Sequence, residues 1–335
     1  MRLFRHYLEI PEECRGGVVA MGNFDGFHRG HQAVIAKAGD LADRLGVPLV
    51  VLTTEPHPRH FFNPDLAQFR LTPFRAKANY LRHFGVDVLT VLHFDKDLAG
   101  LAAQDFVLKV LKGGLGAVHV VVGYDYRFGR GRGGGVDVLR WMGETEGFGV
   151  TVVAPVELED NGVPYSSSYI RETLQAGQVL LAAQLLGHWW AIDGHVATGD
   201  RRGNSIGFPT INLPMSEYLC PKFGVYAVRV EIGEGPFAGV YNGVANIGRR
   251  PTFAKEDVIL EAHLFDFSGD IYDTHVVVEI VDFIRAEVKF DGIDSLKAQI
   301  ARDCETAHAL LARPENRREL WAAPRLPRGS RQRLQ

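Results

Sequence analysis

Short apolar runs recur along the first half of the chain at the intervals of an alternating strand and helix fold. "GGVVAM" (16–21), "PLVVLT" (48–53), "VDVLTVLHF" (86–94), "AVHVVVG" (117–123) and "VTVVAP" (150–155) are β-rich, and segments with helical spacing separate them. Near-continuous apolar strands suit a parallel sheet covered on both faces, and ligands of such sheets gather at the carboxyl ends of the strands. A doubly wound, Rossmann-like α/β domain is therefore predicted over residues 1–187.

The pattern changes after His188. "VYAVRVEI" (225–232), "FAGVYNGVANI" (237–247), "VILEAHLFDF" (258–267) and "HVVVEIVDFI" (275–284) follow one another through Gly-rich turns without helices between them. Such a run predicts an antiparallel barrel or sandwich. "DSLKAQIARDCETAHALLA" (294–312) carries Leu296, Ile300, Ala307 and Leu311 on one helical face, with Ser295 as its expected N-cap. A closing helix is thus predicted for a second domain over 188–312, and the Arg- and Pro-rich remainder, 313–335, reads as a flexible solvated tail.

Composition narrows the class. The chain has 335 residues, 46% hydrophobic and 23% charged, with a formal net charge of -3. These values fit a two-domain globular protein and give no sign of a nucleic-acid or membrane partner, so small-molecule substrates are expected. Cys14, Cys220 and Cys304 lack metal or disulfide spacing, no run of about 18 apolar residues occurs, and the start of the chain has no export pattern, so a cytoplasmic location is expected.

Chemistry concentrates in a few stretches. In "MGNFDGFHRGHQ" (21–32), His28 and His31 fall where a strand hands over to a helix. Helix N-termini favour phosphate, and two imidazoles would add donors to a phosphoryl group under attack. A surface pair or half of a metal site are the alternatives. "GYDYRFGRGRGGG" (123–135) interleaves glycines with arginines and aromatics, as a flexible loop or as one that wraps a ring or a phosphate. "GDRRGNSIGFPTINL" (199–213) is a Gly-punctuated basic turn leading into a proline-extended strand. Glu261 shares a strand face with His263 and Phe265, expected to be the cavity side if the domain is a barrel.

"GNFDGFHRGHQ" resembles the HxGH signature of nucleotidylyltransferases and, in this fuller form, the N-terminal module of the bacterial bifunctional riboflavin kinase/FAD synthetase family. "TTEPHP" (53–58), "RLTPFRAKANYL" (70–81), "VGYDYRFGRGRGGG" (122–135) and "SSSYIRETLQAGQV" (166–179) are similar to that module's further motifs. "GDRRGNSIGFPTINL", "NIGRRPTF" (246–253) and "LEAHLFDFSGDIYD" (260–273) resemble those of its kinase half.

The resemblance implies a nucleotidylyltransferase α/β domain followed by a β-barrel riboflavin kinase domain. The barrel would phosphorylate riboflavin to FMN with ATP and Mg²⁺, and the first domain would transfer AMP from ATP to FMN, giving FAD and pyrophosphate. By it, His28 and His31 stabilise charge on the α-phosphate and the leaving pyrophosphate. Gly22, Asn23, Phe24 and Gly30 would approach ATP, and Arg171 would hold the β- and γ-phosphates with Ser166 and Ser167. Asp125, Tyr126, Arg127 and Phe128 would meet the flavin. In the kinase half, Gly203 and Gly207 bound a phosphate cradle, Thr210 and Asn212 bind Mg²⁺ and ATP, and Glu261 is the base for the ribityl 5′-hydroxyl.

The chain departs from the family pattern at Thr53, Ser168, Tyr169 and Ile211; of these only Tyr169 replaces a charged group, an arginine. Two other readings are a single-activity adenylyltransferase whose barrel only binds flavin, and a flavin sensor without turnover. A dinucleotide-binding oxidoreductase is disfavoured because "GNFDGFHRG" lacks GxGxxG spacing.

Overall fold

The computed structural model describes residues 1–157, 165–197, 207–251, 256–322 and 325–326. Its contacts divide into two compact units, Met1–Ala67 with Phe74–Tyr165 and Ala323–Gln335, and Gln68–Pro73 with Ser166–Ala322.

The first unit is built on strands β1 (Arg2–Phe4), β2 (Val18–Met21), β3 (Leu49–Glu55), β4 (Val88–His93), β5 (His119–Gly123) and β6 (Gly149–Val153). All pair in parallel, in the order β1-β4-β3-β2-β5-β6. Five of these strands match the expected runs; the three-residue β1 is too short to leave a pattern. Helices α1 (Arg29–Leu45), α2 (Pro58–Phe62), α3 (Phe74–Phe84), α4 (Lys96–Gly100), α5 (Ala103–Phe106) and α6 (Val136–Glu146) accompany it, with a π-helical segment at Val107–Gly114. Alternate residues of β2 enter opposite cores. Val18 and Ala20 pack with Ile35 and Ala38 of α1, and Val19 and Met21 with Val110, Leu111 and Met142. This is why the strands read as continuously apolar.

The second unit holds helices α7 (Ser167–Ala176) and α8 (Val179–Leu186), then β7 (Ala191–His195), β8 (Ile211–Pro214), β9 (Gly224–Ile232), β10 (Gly239–Pro251), β11 (Glu256–Leu264), β12 (His275–Arg285) and α9 (Ile293–Leu311). Its strands pair antiparallel in the order β7-β12-β9-β10-β11-β8. Just beyond β7, the Ala197 N–H donates to Asn212 O of β8 at 2.8 Å and brings the two edges together, so the sheet is a near-closed barrel. One face packs on α9, through Val225, Ala227, Val244 and Val281 against Ala307 and Leu310. Ser295 is not the N-cap of α9: Gly292, extended at φ -175, takes that place, and the Ser295 hydroxyl donates back to Gly292 O at 2.8 Å.

The solvated tail expected from 313 onward does not hold for Arg313–Ala322. Two 3-10 turns, Pro314–Asn316 and Arg318–Trp321, lie on the barrel. Asn316 is fully buried and its carbonyl accepts from Arg229. Arg318 pairs with Glu279 at 2.8 Å and also with Glu231. Charge suggests solvent, but Arg318 is spent on Glu231 and on the buried carboxylate of Glu279.

Candidate active sites

In the first unit the strand order reverses between β2 and β5, which are neighbours although three strands of chain order apart. The loops leaving their carboxyl ends flank the crevice where open α/β sheets bind ligands. One loop is residues 22–28 and the other begins at Gly123, so the two motifs singled out in the sequence emerge side by side.

His28 occupies the N-cap of α1 without its side chain capping the helix. The His28 and His31 rings stack at 3.6 Å with 23° between planes, and Phe24 meets His31 edge-on at 5.3 Å. Phe24 is buried with φ 51, so it supports His31 from the core side and its side chain is not an open ATP contact. A Cβ at Gly30 would stand 3.1 Å from His28 Cε1, so glycine at 30 is what leaves the His28 ring its place. The exposed Asn23 accepts at its carbonyl from the Thr53 hydroxyl and at its side chain from the Thr54 hydroxyl, both at 3.4 Å. Thr53 thus ties the end of β3 to the histidine turn. At the same end of β3, Glu55 pairs with the buried Lys77 at 3.0 Å, a contact the sequence reading missed because the partners lie on different elements.

The flavin candidates divide. Phe128 N–H donates to Gly134 O and Gly134 N–H to Phe128 O, which closes the glycine-rich stretch into a hairpin; Arg130 N–H anchors it to Leu101 O at 2.8 Å. Phe128 is buried against Phe106 and belongs to the core. Tyr126 stacks on Phe128 at 6.0 Å, and burial pushes its phenol above the ordinary range, opposed by Arg132. Asp125 and Arg127 are exposed.

Ser167 and Arg171 stand on α7, and Ser166 is its N-cap. Ser166 Oγ accepts from the Tyr169 N–H at 3.2 Å, so this serine caps the helix. Arg171 Nε donates to Phe69 O at 2.7 Å, with its guanidinium 5.3 Å from the Phe69 ring.

Among the described residues, two cavities adjoin the barrel. One, of 330 Å³, lies between the sheet and α9, with Val225, Val244, Phe290, Leu296 and Ile300 as apolar wall and Glu261, His263 and Asn246 as polar wall. Glu261 does face a cavity, but one roofed by the closing helix. The other, of 460 Å³, is lined by Val196, Pro209, Ile211 and the 267–272 stretch. Thr210 lines both. Glu261 pairs in register with Asn212 on β8, and His263 Nδ1 lies 2.8 Å from Pro209 O, which fixes the approach to Thr210. Gly207 has φ +90, and Gly203 lies outside the described residues.

A crevice with a histidine pair at a strand switch, joined in one chain to a near-closed barrel with two cavities meeting at a threonine, defines a two-module nucleotide and flavin transferase. Residues 10–168 match the FAD synthetase family and residues 186–311 the riboflavin kinase family. The chain belongs to the bifunctional riboflavin kinase/FMN adenylyltransferase family. It is 42% identical over 311 residues to the member from Escherichia coli (strain K12), covering 92% of this chain and 97% of that one. It is 40% identical to the member from Bacillus subtilis (strain 168), with 90% and 94% covered. A crystal structure described as a macrolide-efflux protein from Streptococcus pneumoniae shares the fold at TM-score 0.79 and 32% identity, covering 91% of this chain and 98% of that one. Among the described residues no helix is long and apolar enough to cross a membrane.

Proposed function

We propose that the barrel phosphorylates riboflavin to FMN with ATP and that the α/β domain joins AMP from ATP to FMN, giving FAD and pyrophosphate. The observation that carries the kinase half is Thr210, shared by the two cavities: one cavity accepts the flavin, the other the nucleotide, and phosphoryl transfer takes place where they meet. Glu261 accepts the proton of the 5′-hydroxyl as its oxygen bonds to the γ-phosphorus and ADP departs. In the α/β domain an FMN phosphate oxygen displaces pyrophosphate from the α-phosphorus, and His28 and His31 meet the developing charge. Ser166, Ser167 and Arg171 are assigned to the ATP phosphates by the resemblance alone.

Mg²⁺ fits the barrel site by donor chemistry. Among the described residues no group of three or more His, Cys, Asp or Glu is placed to hold a metal. Thr210 and Asn212 offer neutral oxygens, the donors a hard cation accepts when it arrives with nucleotide phosphates, and it would supply charge neutralisation there. We assign adenylyl transfer to residues 1–187 and phosphorylation to 188–312, in a cytoplasmic enzyme whose partners are small molecules.

Chromatography of products from riboflavin, ATP and Mg²⁺ tests the reading. The intact chain should yield FMN and FAD, a His28→Ala/His31→Ala variant should stop at FMN, and a Glu261→Ala variant should make FAD only from supplied FMN. FAD from supplied FMN without any FMN from riboflavin in the intact chain would reduce the barrel to a binding module.

A further inference from the structure

The pairing registers of the barrel place Asn212 of β8 opposite Glu261 of β11, Glu261 opposite Asn246 of β10, Asn246 opposite Val225 of β9, and Val225 opposite Arg285 of β12. One row therefore crosses five strands at roughly 4.8 Å per step. Glu261, Asn246, Val225 and Arg285 all line the 330 Å³ cavity. Chemistry changes along the row: phosphate and cation at Asn212, the base at Glu261, an amide at Asn246, then apolar wall. Arg285 closes the far end, held by Asp303 through contacts of 2.9, 3.2 and 2.6 Å.

Asn246 is oriented beside the proposed base. Its amide nitrogen donates to Glu287 Oε1 at 3.3 Å, and Glu287 also lines the cavity. The Glu287 carboxylate lies over Gly248, where a Cβ would come within 2.1 Å of it. The Asn246 amide oxygen is then the acceptor presented beside the base. Riboflavin has a polyhydroxylated chain between its reacting 5′-hydroxyl and its ring, and a hydroxyl one or two carbons from the base falls about one strand step away.

We propose that Asn246, set by Glu287, recognises the ribityl hydroxyls of riboflavin and so aligns the 5′-hydroxyl with Glu261. Asn246 is a specificity-determining residue and Glu287 its positioning partner. The apolar wall from Val225 to Ile300 takes the ring, and this division rests on the kinase reading above.

The two walls can be tested separately with lumiflavin, which has the ring and a methyl group in place of the polyol. In the full chain, Asn246→Ala should raise the riboflavin KM about tenfold, the worth of a well-made hydrogen bond, and leave the inhibition constant of lumiflavin within twofold. Glu287→Ala should shift the riboflavin KM in the same direction by a smaller factor, again without touching lumiflavin. Weakening of both ligands together would show a structural role and overturn the proposal, as would an unchanged riboflavin KM. Failure of the intact chain to phosphorylate riboflavin would instead overturn the kinase reading.

Discussion

His28 and His31 are brought together by one turn of chain, whereas Asn212, Glu261 and Asn246 meet only because three strands from well-separated parts of the sequence pair in one register. The α/β site is a local device: a strand ends, a helix begins, and the helix N-terminus itself favours an anion. The barrel site is a product of topology, and a shift of one residue in β11 would turn Glu261 away from the cavity. A local site tolerates change elsewhere in its sheet; a register-built site depends on every strand that sets the row.

The sharpest way to break this comparison is to remove one chemical group from each site and look for crossover. Glu261→Gln keeps the shape and the hydrogen-bonding edge but removes the proposed base, so riboflavin phosphorylation should fall by about 10²–10⁴ while FAD formation from supplied FMN persists. An assay that starts from riboflavin and another that starts from FMN distinguish the two steps. Equal loss in both would mean that the sites are not separable.

The reciprocal change has a smaller expected effect. His28→Ala removes one of two donors from a site where the helix end and His31 remain, so FMN adenylylation should fall by about 10²–10³ with phosphorylation intact. The measurement is the rate of pyrophosphate release with FMN and ATP. A loss below fivefold would mean that His31 and the helix end carry the charge without His28.

What was legible in the sequence follows the same division. The histidine turn, its strand and its helix lie within a single short stretch, so motif and spacing expose them. The role of Phe24 was not legible, since its positive φ and burial turn what reads as an ATP contact into a support behind His31. Phe128 likewise reads as a flavin contact in an open glycine loop, but paired backbone hydrogen bonds to Gly134 seat it in the core. In the barrel, the Glu261 face could be read by alternation, but its neighbours Asn246 and Arg285 need the pairing register, which no local pattern encodes. Strand β7, of five residues, is too short to leave a pattern, whereas β8 falls where Pro209 predicts an extended start. The Arg-rich 313–322 stretch was misread because charge density says nothing about which buried carboxylate waits for it.

Gly30→Ala separates position from chemistry at the local site. Alanine is the better helix former by about 1 kcal/mol, so α1 should be no less stable. Its Cβ, however, would stand 3.1 and 3.2 Å from His28 Cε1 and Nδ1, and the ring must give way by a few tenths of an ångström. Adenylylation should drop about tenfold with the melting temperature unchanged or higher. Unchanged adenylylation would show that the stacked geometry of the two rings is not required.

The smallest effect tests whether the barrel's register depends on its C-terminal cover. Burial pushes the Glu279 carboxyl above its usual range, against the pull of Arg318 and Arg229. For Arg318, burial lowers the guanidinium's affinity for its proton, but hydrogen bonds to Glu279 and Glu231 outweigh this and leave it raised. Arg318→Ala strands the Glu279 carboxylate in a desolvated place. A carboxyl whose folded pKa is raised gives stability at low pH, where it is protonated, and loses it as pH rises through that pKa. Without Arg318 the raising is larger, so the variant should melt on the order of 5 °C below the intact chain at pH 8 and much closer to it at pH 5. Thermal unfolding at the two pH values, followed by tryptophan fluorescence, reads the difference. A deficit equal at both would mean that Arg318 acts through packing, and a barrel that melts normally at pH 8 would mean that the strands hold the Glu261 row without the 313–322 cover.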